Sequence, residues 1–147
     1  MEPRATTFWL LWSAMAMLLA ALVAALFVIG PSTARYDDAG VSVLAFVLSL
    51  FAMTAAVGSL ASRESLVRAI AAGAIDPRTP RDRSRTLRTL LGTWTLCIVV
   101  GALGSMLGWA AAKPQFALPY WVSAATLLAF HAPRTAILDR HPAGSPQ

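Results

Sequence analysis

The stretch from Arg78 to Ala112 limits the folds open to this chain more than any other part of the sequence. It begins with five closely spaced arginines and carries no charged residue from Leu90 onward. A helix rises about 1.5 Å per residue, so the uncharged run measures roughly 30 Å, the hydrocarbon thickness of a bilayer. This one segment predicts a membrane-spanning helix, and its arginines indicate the end that stays in the cytoplasm.

Two further uncharged runs, Phe8–Ile29 and Val41–Ala61, are also long enough to cross a membrane. A shorter run lies near the C-terminus and has Pro119 close to its start. Only 13% of the residues are charged and 57% are hydrophobic, whereas soluble domains carry about 25% charged residues. The sequence therefore predicts an all-α polytopic membrane protein with four transmembrane helices in a bundle, spanning about 8–29, 41–61, 90–112 and 116–132.

The polar segment 62–89 joins the second and third spans and includes a predicted short amphipathic helix. Ser62 is placed to cap this helix and Gly73 is placed to end it. We expect it to lie on the cytoplasmic membrane surface, separate from the second span. Farther along, Thr79 followed by Pro80 predicts the start of a new helix that continues without a break into the third span.

The basic residues are distributed unevenly between the two sides of the predicted membrane domain. Of the 12 Lys and Arg residues, only Arg35 and Lys113 fall on the outer side. Because cytoplasmic loops are enriched in Lys and Arg, both termini are predicted to be cytoplasmic. The Ala- and Arg-rich, Lys-poor composition is typical of a GC-rich bacterial genome, so the expected location is the bacterial inner membrane. Residues 1–133 form the predicted transmembrane domain, and 134–147 form a polar tail predicted to be disordered.

A line of small residues follows one face of the third span. At about 100° per residue these side chains align, and Gly104 and Gly108 have the spacing that lets two helices pack closely. The face consists of Cys97, Gly101, Gly104, Ser105, Gly108 and Ala112. Two interpretations stay open: the face packs inside the protein's own bundle, or it binds another subunit.

A second candidate site is the helical face formed by Arg81, Arg85 and Arg88, just before the third span. These arginines suit anionic lipid headgroups or an acidic partner, and the alternative is an ordinary positive-inside anchor. Asp37 and Asp38 lie in the first outer loop, where we interpret them as solvated carboxylates in preference to a cation site.

No Asp, Glu, Lys or Arg lies in the middle of any predicted span. Proton-coupled carriers and pumps need ionisable residues inside the membrane, so this absence argues against such a function. The chain resembles small multidrug antiporters only in its four short spans, because those proteins use a glutamate in the first helix, and Phe8–Ile29 has none. We expect His131 at the membrane interface and Cys97 to be a packing residue. No cofactor, metal centre or nucleic-acid partner is predicted.

These features favour a non-catalytic integral membrane subunit, an accessory, assembly or scaffolding component of a membrane complex or homo-oligomer. Its expected partners are anionic lipid headgroups and other membrane subunits or further copies of the chain. The alternative is a small oligomeric transporter or lipid flippase without an ionisable relay, and an enzyme is not expected. A transport path would need hydroxyl residues from all four spans: Ser13, Ser49, Thr54, Thr95, Ser105, Ser123 and Thr126.

Overall fold

The computed structural model describes residues 3–33, 36–76 and 79–133, and its regular structure in these ranges is entirely helical. Four α-helices and one short 3₁₀ helix follow one another along the chain. They are α1 (Pro3–Ile29), α2 (Asp38–Ala71), α3 (Pro80–Ala110), the 3₁₀ helix (Pro114–Ala117) and α4 (Leu118–Phe130). The tail 134–147, predicted to be disordered, lies outside the described residues.

Three of these helices, α1, α2 and α3, are long and apolar enough to cross a membrane. They contain 27, 34 and 31 residues, whereas about 20 residues span the hydrocarbon layer. The all-α class and the three long apolar helices are therefore confirmed. α4 contains 13 residues, so the fourth predicted span is a helix that is shorter than expected.

The segment after the second apolar run differs from the prediction. The prediction of a separate surface helix beginning at Ser62 is wrong, because one continuous helix covers Asp38–Ala71. Residues 59–72 contain neither glycine nor proline, so nothing interrupts the hydrogen bonding between each residue and the fourth one before it. Glu64 and Arg68 form an exposed salt bridge of 3.0 Å along this continuation. The amphipathic segment is thus the C-terminal part of α2.

The connection between α2 and α3 follows the local sequence signals. Just after α2, Gly73 has a φ of +70°, the left-handed conformation that glycine adopts without strain. At the start of α3, the Thr79 hydroxyl oxygen accepts a hydrogen bond from the backbone N–H of Asp82, and Pro80 occupies the first turn. The predicted glycine stop and the Thr-Pro start are both confirmed.

The end of α3 removes one residue from the predicted small-residue face. α3 ends at Ala110, and Ala112 lies beyond it with a φ of +50°. The backbone N–H groups of Ala112 and Lys113 donate to the carbonyl oxygens of Trp109 and Gly108, the paired hydrogen bonds typical of a Schellman helix end. Because Ala112 belongs to this turn, it is not part of the helical face on which the sequence places it.

α3 is the central helix of the structure. Half of the most apolar part of α3 is buried inside the protein. In the corresponding parts of α1 and α2, only 11% and 22% are buried. Along α3 runs the main apolar core, in which Val100 and Leu107 pack with Leu19 of α1, Leu48 of α2 and Ala124 of α4. The other helices therefore pack around α3, which places its small-residue face and its arginines in very different surroundings.

Candidate functional site

The small-residue face of α3 packs against the fourth segment of the chain. A Cβ added to Gly104 would collide with the Cβ of Tyr120 and come within 3.2 Å of the carbonyl oxygen of Ala117. A Cβ added to Gly101 would lie 3.4 Å from the Cβ of Ala124. Glycine is therefore required at position 104, where the α3 backbone approaches the backbone of the fourth segment, and the contact of Gly101 with Ala124 is an ordinary van der Waals one.

The same face also contacts α1. A Cβ added to Gly101 would lie 2.5 Å from Leu19 Cδ1, and one added to Gly108 would lie 2.8 Å from Leu26 Cδ2. Cys97, one turn before Gly101, is fully buried as well. The structure thus brings Cys97, the three glycines and Ser105 into one internal seam, which corresponds to packing within the protein's own helices.

Tyr120 connects α4 to α2 across the core. Its hydroxyl oxygen lies 2.7 Å from Ser49 Oγ and donates a hydrogen bond to the carbonyl oxygen of Ala45 at 3.3 Å. A hydroxyl group left unpaired in apolar surroundings would be costly, so these two partners determine the orientation of the ring.

Two indole groups connect α4 to the long helices α1 and α3. Trp121 Nε1 donates to Ser105 Oγ of α3 at 3.0 Å, and Trp12 Nε1 of α1 donates to the carbonyl oxygen of Leu128 at 2.9 Å. Ser105 in turn donates to the carbonyl oxygen of Gly101 at 3.2 Å. The shortest α-helix is therefore held by side-chain hydrogen bonds from α1, α2 and α3.

His131 follows the last residue of α4, and its side chain is only 2% exposed. Its Nε2 lies 3.3 Å from Ser59 Oγ on α2, and its backbone carbonyl accepts a hydrogen bond from Trp94 Nε1 of α3 at 3.0 Å. Among the described residues its Nδ1 has no hydrogen-bond partner. His131 thus joins the end of α4 to both α2 and α3.

The Ser59 hydroxyl and the Cys97 thiol are each satisfied by a carbonyl group of their own helix. Ser59 Oγ donates to the carbonyl oxygen of Ala56 at 2.7 Å, and Cys97 Sγ donates to that of Thr93 at 3.3 Å. Neither ring nitrogen of His131 bonds to a carboxylate within the described ranges. The arrangement therefore differs from a serine–histidine–acid set, in which a carboxylate orients the imidazole.

The contact between Ser59 and His131 was not predicted, because these residues are 72 positions apart in the chain. One signal was available in the bulky indole of Trp94, which interrupts the small-residue face one turn before Cys97. A buried indole usually has a partner for its N–H group. Trp94 is fully buried, and that partner is the backbone carbonyl of His131.

Arg81, Arg85 and Arg88 lie together on the first turns of α3, outside its apolar part, as predicted. All three are exposed, and they line an open cavity of about 630 Å³. The Asp82 carboxylate accepts a hydrogen bond from the backbone N–H of Asp76 at 3.1 Å, which directs it toward the α2–α3 connection. The remaining lining residues are Thr79, Asp82 and Ser84.

The two aspartates of the connection between α1 and α2 have structural roles at the start of α2. The Asp37 side chain accepts a hydrogen bond from the backbone N–H of Gly40 at 2.9 Å and caps the helix. Asp38 lies in the first turn, where a carboxylate interacts favourably with the helix dipole. Asp37 therefore acts as the N-cap of α2, and Asp38 lies beside the positive end of the helix dipole.

The hydroxyl residues considered for a transport path are not gathered into one lining. Thr54, Thr95 and Thr126 each donate to the carbonyl oxygen four residues earlier in the same helix, which satisfies the hydroxyl without another segment. Six of the seven are exposed on the outside of the protein: Ser13, Ser49, Thr54, Thr95, Ser123 and Thr126.

Within the described ranges, no group of three or more His, Cys, Asp or Glu side chains is arranged to hold a metal ion. Comparison of the chain with protein-family models, with curated proteins and with solved structures found no match. What the buried seam and the arginine face can do therefore follows from their own geometry.

Proposed function

We propose that this protein is a non-catalytic integral membrane subunit that helps to assemble or scaffold a membrane complex or a homo-oligomer. The observation that carries the proposal is the hairpin of α2 and α3, which continues beyond its apolar part and exposes an arginine face there. A packed, cationic helical extension attached to membrane-spanning helices suits a protein that holds partners in place. The proposed location is the bacterial inner membrane, with both termini in the cytoplasm.

The lengths of the helices support this extension. At about 1.5 Å per residue, α2 is roughly 51 Å long and α3 roughly 46 Å, against a hydrocarbon layer of about 30 Å. About 15–20 Å of each helix is therefore free to extend into the cytoplasm. Leu66 and Ile70 of α2 are buried there with Leu90 of α3, Phe8 of α1 and Ile75 of the connection. This apolar cluster attaches the extension to the rest of the protein.

A fourth membrane crossing is proposed from the path of the 3₁₀ helix and α4 alongside α3. Near the end of α3, Gly108 faces Ala117, and toward its start Trp94 reaches His131. Gly108 and Trp94 are about 21 Å apart along the helix axis. The fourth segment therefore accompanies α3 through most of a hydrocarbon layer, although α4 alone is short.

The proposed orientation is tested with reporter fusions at Thr33 and Arg78, in the first outer connection and the cytoplasmic connection. An alkaline phosphatase reporter is expected to be active at Thr33 and inactive at Arg78, and a fluorescent cytoplasmic reporter is expected to give the opposite result. The expectation follows from the concentration of arginines at 62–89. The same compartment for both fusions would overturn the orientation.

The subunit proposal is tested by extracting the native membrane into polymer-bounded discs without detergent and measuring the mass of the extracted particles. The 15.6-kDa chain is expected in particles of fixed stoichiometry, with further copies of itself or with other membrane proteins. When partners are found, their assembly is expected to fail after deletion of the chain. A monomer at every protein concentration would contradict the proposal, and solute movement by that monomer in liposomes would support a transporter.

A further inference from the structure

We propose that Arg81, Arg85 and Arg88 form a binding site for the phosphate group of an anionic phospholipid. The site rests on the proposed membrane placement of α3 and assigns a partner to the basic face of that helix. Its chemistry is recognition of a phosphodiester by several guanidinium groups at the cytoplasmic surface.

The three arginines converge on one side of α3. They occupy positions i, i+4 and i+7, which lie within about 60° of one another around a helix. All three are exposed and border the same open cavity of about 630 Å³, together with Ser84. Arg83 lies on the opposite face of α3, so the cluster is a property of one face of the helix.

The charges of the three arginines are available for a ligand. None of the three forms an ion pair in the part of the chain that the structure describes, where the salt bridge joins Glu64 and Arg68 of α2. Asp82 borders the same cavity, but its Oδ2 accepts a hydrogen bond from the backbone N–H of Asp76 at 3.1 Å. The cavity therefore has three positive charges beside one carboxylate that already has a partner.

Guanidinium groups match the geometry of a phosphodiester. Each presents a planar fork of N–H donors that can bond two phosphate oxygens at once. An anionic phospholipid adds a net negative charge that a zwitterionic lipid lacks. Recognition by arginine therefore predicts dependence on both the lipid charge and the fork geometry, which a lysine cannot reproduce.

Depth along the helix favours a lipid over an acidic protein. Counted from Leu90, where the apolar run begins, Arg88 lies about 3 Å away along the axis, Arg85 about 8 Å and Arg81 about 14 Å. The headgroup layer is about 5–8 Å thick on each side of the hydrocarbon. Arg88 thus lies within the headgroup layer and Arg85 lies at its outer edge, while Arg81 lies roughly 6 Å farther out on the same face.

The test is a lipid titration of the purified full-length chain in mild detergent, read by native mass spectrometry. Phosphatidylglycerol is expected to bind the wild type about tenfold or more tightly than phosphatidylcholine, because charge-assisted hydrogen bonds carry the affinity. Arg85→Gln and Arg88→Gln are each expected to weaken phosphatidylglycerol binding about tenfold. Arg85→Lys keeps the charge but loses the fork, and it is expected to weaken binding as well.

Arg83→Gln is the matched control, since it removes the same charge from the opposite face of α3. It is expected to leave phosphatidylglycerol affinity within about twofold of the wild type. Circular dichroism verifies that each variant is helical, and the selectivity of the wild type between the two lipids requires no variant at all. Inorganic phosphate at millimolar concentration is expected not to displace the lipid, and displacement would assign the site to a free anion.

Equal weakening by Arg83→Gln would overturn the proposal, because it would show a general positive anchor. No selectivity between the two lipids would also overturn it and would favour an acidic protein as the partner of this face. Failure of the lipid-site proposal can be distinguished from failure of the subunit proposal. A monomeric chain that binds phosphatidylglycerol through Arg85 and Arg88 would retain the lipid site, and an unselective chain in complexes of fixed stoichiometry would retain the subunit function.

Discussion

Gly104 controls how closely α3 approaches the fourth segment. The atoms that a side chain would meet there include Tyr120 Cβ, close to the backbone, and the carbonyl oxygen of Ala117. Neither can move without shifting the backbone of the 3₁₀ helix or α4. Gly92 offers a contrast within the same helix, because a Cβ added to it would have no neighbouring atom within 4 Å.

Gly104→Ala is therefore expected to lower the free energy of unfolding by about 1–3 kcal/mol, the usual cost of overpacking a core. Gly92→Ala is the control, and it is expected to raise stability by about 0.5–1 kcal/mol, since alanine is the better helix former. Equilibrium unfolding in mixed micelles measures both changes. If the two variants behave alike, close packing at Gly104 is not required.

The contact between Ser59 and His131 is a second interaction that depends on a single residue. Within the described residues, the imidazole of His131 has one hydrogen-bond partner, because its Nε2 contacts Ser59 Oγ. Both residues are almost completely buried. Removing that hydroxyl would leave both ring nitrogens unpaired in apolar surroundings, which is unfavourable for a buried polar group.

Ser59→Ala is expected to destabilise the protein by about 1–3 kcal/mol and to loosen the end of α4. Thermal unfolding measures the first effect, and hydrogen exchange at residues 127–131 measures the second. Ser65→Ala is the control, since Ser65 is exposed and donates to the carbonyl oxygen of Ser62 in its own helix. It is expected to change stability by less than about 0.5 kcal/mol. Unaltered exchange in Ser59→Ala would contradict the role of this contact.

Among the elements, α2 and α3 end with the same backbone motif but with different residues in the left-handed position. Gly73 fills this position after α2 with a φ of +70°, and Ala112 fills it after α3 with a φ of +50°. A Cβ in this conformation is strained, whereas glycine is not. The helix ends therefore supply a matched pair of opposite substitutions.

Ala112→Gly is expected to raise the free energy of unfolding by about 1 kcal/mol, and Gly73→Ala is expected to lower it by a similar amount. A Cβ added to Gly73 would have no neighbour within 4 Å, so its effect is due to the backbone alone. Thermal unfolding of both variants in the same detergent measures the difference. A loss of stability in Ala112→Gly would contradict the left-handed turn at this position.

α2 is a single continuous helix through Ser62. As an interior residue of α2, Ser62 needs no capping role, and its replacement by alanine is expected to be neutral or slightly stabilising. Ser62→Pro is expected to cost about 3 kcal/mol, because proline removes a backbone hydrogen bond within the helix. In a separate surface helix, Ser62→Ala would instead remove a cap and cost about 1 kcal/mol. Chemical unfolding of both variants distinguishes the two arrangements.

The whole molecule is arranged around α3, while α1 and α2 expose long apolar faces. Large side chains such as Met17, Phe46 and Phe51 are each more than 60% exposed. Water would make such surfaces unfavourable, but a hydrocarbon solvent favours them. The few buried positions of α1 and α2 are therefore compatible with stability only in a lipid environment or against other membrane helices.

Phe51→Arg, near the middle of the second apolar run, is expected to cost roughly 2.5–3.5 kcal/mol of membrane insertion. In water, the same exposed substitution would be close to neutral. Ser65→Arg is the control, because Ser65 is exposed on the extension of α2 beyond the apolar run. A translocon insertion assay measures both variants, and normal insertion of Phe51→Arg would show that this face does not meet hydrocarbon.

The sequence by itself determined the features that depend on neighbouring residues along the chain. Uncharged runs of sufficient length predicted α1, α2 and α3, and Thr79 and Gly73 predicted where α3 begins and α2 ends. The arginine face of α3 followed from helical spacing alone. Hydropathy, caps and periodicity act within one or a few turns, so they can be evaluated before any tertiary contact is known.

Only the tertiary structure decided which helix is central and which distant residues meet. The mean hydropathies of α1, α2 and α3 are 2.4, 2.2 and 1.9, and such values do not identify α3 as the helix covered by the others. The same holds for Ser59 and His131, and for the glycines that the structure covers with α1 and α4. The local sequence allows α2 to continue past Ser62, and the tertiary structure shows that this continuation packs through Leu66 and Ile70 against Leu90 and Phe8. Such contacts join residues far apart in the chain, and their partners are fixed by shape and packing across helices, which a local pattern does not contain.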